Sequence, residues 1–193
     1  MKAIFLDHDG VICLSEQWGT RFAKANSNLH ITNRNVLDRF DDFDKGAIEV
    51  LNSILVETDA AIIVSSDWKT WATVEELGEY YEHQGIIKKP IDFTEKMHYS
   101  DWFDAEFIPK EFPWDRSLGL EQNRYFEITK YLQDHPEITE WVAIDDMHLG
   151  NRPDFGYGIL ERSWGLTNFV WTPDSNQGIK QEGIKEQIIG FLK

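Results

Sequence analysis

The sequence is poor in cysteine, in basic residues and in long apolar runs. Its single cysteine, Cys13, excludes an internal disulfide and is typical of proteins of a reducing compartment. The apolar runs are only a few residues long, far short of the ~20 residues that a membrane-spanning helix needs. Carboxylates interrupt the opening stretch MKAIFLDHDG before the apolar core of a signal peptide could form. We therefore expect a cytoplasmic protein without a membrane segment.

Basic residues are outnumbered by acidic ones. The 193 residues include 19 Lys and Arg against 34 Asp and Glu, which gives a formal net charge of -15 at pH 7. This charge opposes long-range attraction to polyanions, so we expect no extended nucleic-acid surface. A local basic pocket for one phosphate group remains compatible with it. The length is that of one globular domain with a substantial core.

Three short apolar runs predict buried β-strands. They are AIFL (3–6), AIIV (61–64) and WVAI (141–144), and a weaker fourth run is NFVW (168–171). The runs are continuous rather than alternating, which is typical of strands that are covered on both faces of a parallel sheet.

Segments with the hydrophobic periodicity of a helix lie between and after these runs. Helices are predicted at about 45–57, 68–84 and 121–134, and from about residue 180 onward. Asp44 and Asp67 are the predicted N-caps of the first two helices. Strands that alternate with helices predict an α/β fold with a parallel sheet.

Two segments, at about 15–43 and 86–120, do not follow this rhythm. Loops of this length are uncommon unless they are functional, so we interpret both as insertions that roof the carboxyl end of the sheet. In the first, one helix is predicted near 18–25, and the acidic run FDDFD (40–44) is interpreted as a solvated loop. The second is rich in aromatic residues, for which a core role is favoured over a substrate platform.

Polar side chains follow each of the three strong strands. They are Asp7 and Asp9, Ser65 and Ser66, and Asp145 and Asp146. Ligands of an open parallel sheet bind outside the carboxyl ends of its strands, so these side chains are expected to share one cleft. The two serines could instead form an ordinary helix cap with Asp67.

Four carboxylates in one cleft repel each other, and a bound cation resolves the conflict. Oxygen ligands of this kind suit a hard ion, and Mg²⁺ takes one or two carboxylates together with a substrate phosphate. Beside such an ion a carboxylate can attack phosphorus and form an aspartyl-phosphate. The pattern therefore suits a hard divalent cation and is compatible with phosphoryl transfer.

The same residues resemble the motifs of the haloacid-dehalogenase-like (HAD) phosphohydrolases. FLDHDGV resembles the first motif, IIVSS the second and WVAIDD the fourth, in the family's order. The third motif is a single Lys or Arg on the helix before the last of these strands, for which Arg124 is the first choice and Lys130 the alternative. SSDWK, RYFEITKYL, AIDD and FVWTPDSNQGI further resemble small members, some of which serve as phosphatase modules of RNA-repair proteins.

This resemblance covers about 1–11, 44–85 and 121–193. It implies a Rossmann-like three-layer sandwich with a mainly parallel sheet and small cap-like insertions, built as a single HAD-like domain over 1–193. It also implies that Asp7 attacks phosphorus and that Asp9 acts as general acid and base. Ser65 and Ser66 would bind the phosphate oxygens, and Arg124 would neutralise charge on the transferred group.

The implied Mg²⁺ ligands are Asp7, Asp145, Asp146 and the backbone carbonyl of Asp9. The acid at Asp9 favours phosphate over halide chemistry, because a halide leaving group needs no proton. The sequence departs from the family at His8, where an apolar residue is usual. His8 could face the substrate or pack in the core.

The expected function is a Mg²⁺-dependent HAD-type phosphatase, a phosphomonoester hydrolase of a small phosphorylated substrate. A nucleotide or a nucleic-acid-end phosphate is the expected class: the short insertions leave room for an oligonucleotide end, whereas the net charge favours a small molecule. A non-catalytic metal- or phosphate-binding regulatory module on the same scaffold is the alternative. A receiver-like phosphoacceptor domain is disfavoured, because AIIVSS offers no Asp at the end of its strand.

Overall fold

A five-stranded parallel sheet forms the centre of the computed structural model, which describes residues 1–24, 30–97, 119–150 and 164–193. The strands are β1 (Lys2–Leu6), β2 (Ala61–Val64), β3 (Pro90–Phe93), β4 (Glu140–Asp145) and β5 (Phe169–Trp171). Their order across the sheet is β3-β2-β1-β4-β5, and every neighbouring pair is parallel. The predicted α/β fold is confirmed, and β1 lies in the middle of the sheet.

Helices cover both faces of this sheet. They are α1 (Thr20–Lys24), α2 (Lys45–Thr58), α3 (Val74–Gln84), α4 (Gly119–Asp134) and α5 (Ile184–Phe191). Apolar residues of α2, α3 and α5 pack on one face in a single buried cluster, and those of α4 pack on the other face. The result is the three-layer sandwich that the family resemblance implies.

Alternation along β1 shows why the strand runs are apolar throughout. Ile4 and Leu6 point into the larger cluster, whereas Ala3 and Phe5 point toward α4, and all four are fully buried. A central parallel strand has no solvated face, so it needs apolar residues at every position. The first polar residue after such a strand therefore marks its exit from the core.

Strand β3 was not predicted and falls inside the proposed second insertion. It begins at Pro90, which has no backbone N–H to donate, and it forms the edge of the sheet beside β2. Proline is tolerated at the first residue of an edge strand, and the short run PIDF carries little apolar signal. The sheet therefore includes 90–93, while 98–118, with all but one of the insertion's aromatic residues, lie outside the described residues.

Helix α3, which was predicted at about 68–84, begins later than predicted. Asp67 opens a short 3-10 helix, Asp67–Thr70, and α3 starts at Val74. Thr73 caps α3, because it accepts from the backbone N–H of Glu76, whose side chain accepts from the Thr73 N–H in a capping box. The last helix likewise begins at Ile184, after a separate 3-10 turn at Gly178–Lys180.

The acidic run FDDFD is not a solvated loop. Phe40 and Phe43 are almost fully buried, and both stack on the indole of Trp68. The backbone carbonyl of Asp41 accepts a hydrogen bond from the Tyr80 hydroxyl at 2.8 Å. The two aromatic residues therefore bind this segment to the core, although its composition is acidic.

No helix in the described parts of the chain combines the length and apolar character that crossing a bilayer would require.

Candidate active site

The polar residues that follow the strands lie in one row. The backbone ladder continues past each strand, because the N–H of Asp7 donates to Ile144 and the N–H of Ser65 donates to Leu6. Asp145 is the last residue of β4 and pairs with Trp171 of β5. The structure thus brings the residues that follow β1, β2 and β4 to the same edge of the sheet.

Three carboxylates meet at this edge. Asp7, Asp145 and Asp146 each offer an oxygen, and these oxygens lie within 4.8 Å of one another. Asp7 and Asp145 are buried, and Asp146 is partly exposed, so the cluster opens toward solvent on one side. An all-oxygen, all-anionic donor set fits a hard divalent ion such as Mg²⁺ better than zinc or copper.

The side chain of Asp9 is not part of this cluster. Its Oδ2 accepts a hydrogen bond from the indole Nε1–H of Trp68 at 3.0 Å. The residue is only partly buried, whereas its neighbours Asp7 and His8 are buried. Its carboxylate is therefore available for work other than metal ligation, which fits the expectation that Asp9 would reach a metal through its backbone carbonyl.

Arg124 of α4 bridges the two buried carboxylates. Its Nη1 lies 3.1 Å from Asp7 Oδ1 and 2.9 Å from Asp145 Oδ2, and it also donates to the backbone carbonyl of Ser65. Burial acts to lower the pKa of Arg124, but the carboxylates of Asp7 and Asp145 outweigh it and raise that pKa overall. The guanidinium is therefore a permanent cation between the ends of three strands.

Lys130, the alternative basic residue, lies elsewhere. It pairs with Asp134 one turn along the same helix, and about a third of its side chain is exposed. Of the two residues, the structure places Arg124 among the clustered acids.

One arginine does not neutralise this many acids. Burial raises the pKa of Asp145 well above its usual range, and the nearby carboxylate of Asp7 adds to the effect. Burial, together with Asp7 and Asp9, raises the pKa of Asp146 to about 6. Both shifts favour the protonated form of these carboxyl groups, whereas a divalent cation bound between them would favour the ionised form.

Gly10 makes the close approach of Asp146 possible. Its φ of 71° lies in the left-handed region, and a Cβ added there would stand 2.4 Å from Asp146 Oδ2. A side chain at this position would therefore both strain the backbone and displace a carboxylate of the cluster.

The two serines after β2 are buried and lie in different surroundings. Ser65 Oγ lies 3.5 Å from the hydroxyl of Thr94, and the backbone carbonyl of Ser65 accepts a hydrogen bond from Arg124. Ser66 precedes the 3-10 helix without forming a side-chain cap, and its buried Oγ has no partner among the described residues. A buried hydroxyl without a partner is costly, so Ser66 is suited to a ligand oxygen.

His8 packs in the core. It is fully buried, its Nε2 lies 2.6 Å from the Tyr81 hydroxyl, and its ring contacts Trp68 at 4.6 Å between centroids. Burial, with a smaller contribution from Arg124, lowers the pKa of His8 to about 3. The imidazole is therefore neutral at ordinary pH and does not face the cleft.

A comparison with family models places this geometry in a known group. Residues 3–178 match the model described as "HAD domain in Swiss Army Knife RNA repair proteins". The chain belongs to this HAD family. Searches of curated proteins and of solved structures returned no match. Membership supports a hydrolase of the HAD type, of which phosphatases are the expected kind, and HAD domains generally use Mg²⁺.

A buried ion pair with the helix that carries Arg124 was not predicted from the sequence. Lys69 and Glu127 form an ion pair with both side chains about 5% exposed, and Lys69 also donates to Thr94 at 2.9 Å. Thr94 continues the ladder beyond β3, where its N–H donates to Val64. Glu127 follows Arg124 by one helical turn, so this network fixes the face of α4 that carries the arginine. No sequence motif indicated Thr94 or Glu127.

We predict that Glu127→Ala destabilises the fold by about 3–5 kcal/mol, because it leaves the ammonium of Lys69 buried without its counter-ion. Urea unfolding measures the change in free energy. Asp134→Ala is the matched control on the same helix: it breaks an exposed pair and is expected to cost less than about 1 kcal/mol. Adding Lys69→Met to Glu127→Ala should recover most of the loss, and no recovery would show that charge burial is not the cause.

Proposed function

We propose that the protein is a Mg²⁺-dependent phosphomonoesterase that works through an aspartyl-phosphate intermediate. The observation that carries this proposal is the junction of Asp7, Asp145 and Asp146 with the guanidinium of Arg124. This junction combines a carboxylate that can act as a nucleophile with a fixed cation and with a group of oxygens that could hold a metal ion. Phosphoryl transfer requires positioning and charge neutralisation of this kind.

In the first step a carboxylate oxygen of Asp7 bonds to phosphorus as the ester P–O bond breaks. Asp9 donates its proton to the departing oxygen, so the product leaves as an alcohol. Burial and the charge of Asp7 raise the pKa of Asp9, although its hydrogen bond from Trp68 acts in the opposite direction. A raised pKa favours the protonated acid that this step needs.

In the second step water attacks the phosphorus of the aspartyl-phosphate. Asp9, now ionised, takes a proton from that water, and the bond between phosphorus and the Asp7 oxygen breaks. Inorganic phosphate leaves and both carboxyl groups return to their starting states. Arg124 neutralises charge on the transferred group throughout, and Ser65 and Ser66 bind its peripheral oxygens.

Asp7, Asp145 and Asp146, with the backbone carbonyl of Asp9, are the proposed ligands of the magnesium ion. When bound, the ion supplies positive charge that allows the anionic Asp7 to approach an anionic phosphate. The three carboxylates that meet at one point, with a single arginine beside them, support this assignment.

The test is hydrolysis of p-nitrophenyl phosphate with and without Mg²⁺. We expect EDTA to abolish turnover and added Mg²⁺ to restore it, and we expect Asp7→Asn to lower kcat by at least about 10³-fold, because the amide is not a nucleophile. Asp59→Asn is the matched control. Asp59 has a positive φ that asparagine also tolerates. It lies at the end of α2 just before β2, and therefore at the amino ends of the strands, away from the site.

A folded Asp7→Asn protein with wild-type turnover would contradict the proposal. The second candidate, a non-catalytic regulatory module, predicts a different result: Mg²⁺ binding by calorimetry without turnover of any phosphate ester. The buried Ser66 hydroxyl and the fixed Arg124 would then serve to bind a phosphate group.

For the substrate we propose a nucleotide or a nucleic-acid-end phosphate, and we propose the cytoplasm as the location. The family description, which refers to RNA repair proteins, supports the substrate class. The net charge of -15 favours contact with a single phosphate and its nucleoside over contact with a long strand. The single cysteine supports the reducing location.

A panel of nucleotides, oligonucleotides with 3′ or 5′ phosphate ends and sugar phosphates tests the substrate class. We expect kcat/KM to be at least about tenfold higher for the best nucleotide or oligonucleotide end than for any sugar phosphate, because only the former offer a base to recognise. Phosphate release at fixed ionic strength is the measurement. A sugar phosphate at the top of the ranking would reject this substrate class while leaving the phosphatase intact.

A further inference from the structure

Trp68 makes a specific polar contact with the site. Its indole is 5% exposed, and its Nε1–H donates to Asp9 Oδ2 at 3.0 Å. An indole N–H can only donate, so it holds one carboxylate oxygen in a fixed place whatever the state of the acid. This contact joins the loop after β2 to the loop after β1.

The indole itself cannot move easily. Phe40 stacks on it with 4.6 Å between centroids and an interplanar angle of 8°, and Phe43 packs on it at 5.3 Å and 14°. The ring of His8 also approaches its centroid to 4.6 Å. All these partners are buried, and close packing of this kind keeps a side chain in one rotamer.

A rigid donor matters because the other side-chain hydrogen bond to the Asp9 carboxylate comes from the thiol of Cys13, which is a weak donor. The side chain of Asp9 is only partly buried, and its neighbour Gly10 adopts a left-handed conformation in the turn. A general acid must hold its proton within hydrogen-bond reach of the leaving oxygen, and a small misplacement is costly in rate. The stack formed by 40–43 and Trp68 supplies that constraint.

We infer that Trp68 is a positioning residue for proton transfer, holding the Asp9 carboxyl in the orientation that protonates the leaving group. The inference rests on the proposed phosphatase function. It also gives a role to the FDDFD segment, in which Phe40 and Phe43 pack against the indole. A purely structural alternative is that Asp9 serves only as the acceptor that a buried indole N–H requires.

The two roles differ in their dependence on the leaving group. An alkoxide must be protonated as it departs, whereas p-nitrophenolate leaves readily without a proton. Loss of general acid positioning therefore slows alkyl esters far more than p-nitrophenyl esters. The ratio kcat/KM reports the step in which the leaving group departs, because that step precedes attack by water.

The experiment compares Trp68→Phe with wild type on p-nitrophenyl phosphate and on glycerol 2-phosphate. Phenylalanine retains much of the stacking but has no donor. We expect kcat/KM to fall at least about 30-fold on the alkyl ester and less than about threefold on the aryl ester, a differential within the range of general acid catalysis. Trp71→Phe is the matched control, because it makes the same substitution three residues away, on a partly exposed indole that contacts His30 and is outside the stack. It should leave the ratio of kcat/KM for the two substrates unchanged.

A double-mutant comparison tests whether Trp68 acts through Asp9. In an Asp9→Asn background, Trp68→Phe should produce no further change in the substrate ratio. Equal losses on both esters, or an additional change in the Asp9→Asn background, would overturn the inference and leave Trp68 a structural residue.

Two further results are decisive. If Trp68→Phe does not fold, site-specific incorporation of 3-benzothienylalanine replaces the N–H by sulfur in a ring of the same shape, and the same outcomes apply. If wild type hydrolyses neither ester nor any member of the nucleotide panel, the phosphatase function fails and the inference fails with it. An active wild type with an unchanged ratio in Trp68→Phe overturns the positioning role alone.

Discussion

Repulsion among carboxylates is the constraint on which the rest of this site depends. The parallel ladder ends β1 and β4 side by side, and this brings Asp7, Asp145 and Asp146 to one point. Arg124 offsets part of that charge from the helix side, and the remainder calls for a cation from the solvent side. Cations that compensate the charge of the clustered carboxylates can also compensate the charge of an anionic substrate. A site of this kind is therefore suited to chemistry on such a substrate.

Two buried clusters of side chains flank the site and support it. On one side the ion pair of Lys69 and Glu127 orders α4 and the end of β3 around Arg124. On the other side an aromatic stack holds Trp68 against Asp9. Each cluster includes a residue of the SSDWK stretch after β2, so one short loop connects the Arg124 side of the cleft with the Asp9 side. Residues outside the reacting group thus define its geometry.

Several of these features could be read from the sequence, and the reasons are physical. Central parallel strands must be apolar throughout, so β1, β2 and β4 and the acids that end them were predictable. Strand β3 was not, since a four-residue edge strand that starts with Pro90 has almost no pattern. The capping role of Thr73 was hidden by Asp67, an equally good cap by composition. The FDDFD segment was misread because composition does not reveal that Phe40 and Phe43 find a buried partner in Trp68.

The most direct test of the central claim is a crystal structure of the protein with Mg²⁺ and orthovanadate, a mimic of the phosphoryl group in transfer. We predict one magnesium ion about 2.0–2.1 Å from its ligand oxygens, which belong to Asp7, Asp145 and Asp146. The vanadium should lie in line with a carboxylate oxygen of Asp7, with Arg124 nearby. Asp9 should face the apical oxygen on the opposite side of the vanadium. A metal ion bound away from these acids, or vanadate bound with Asp7 out of reach, would contradict it.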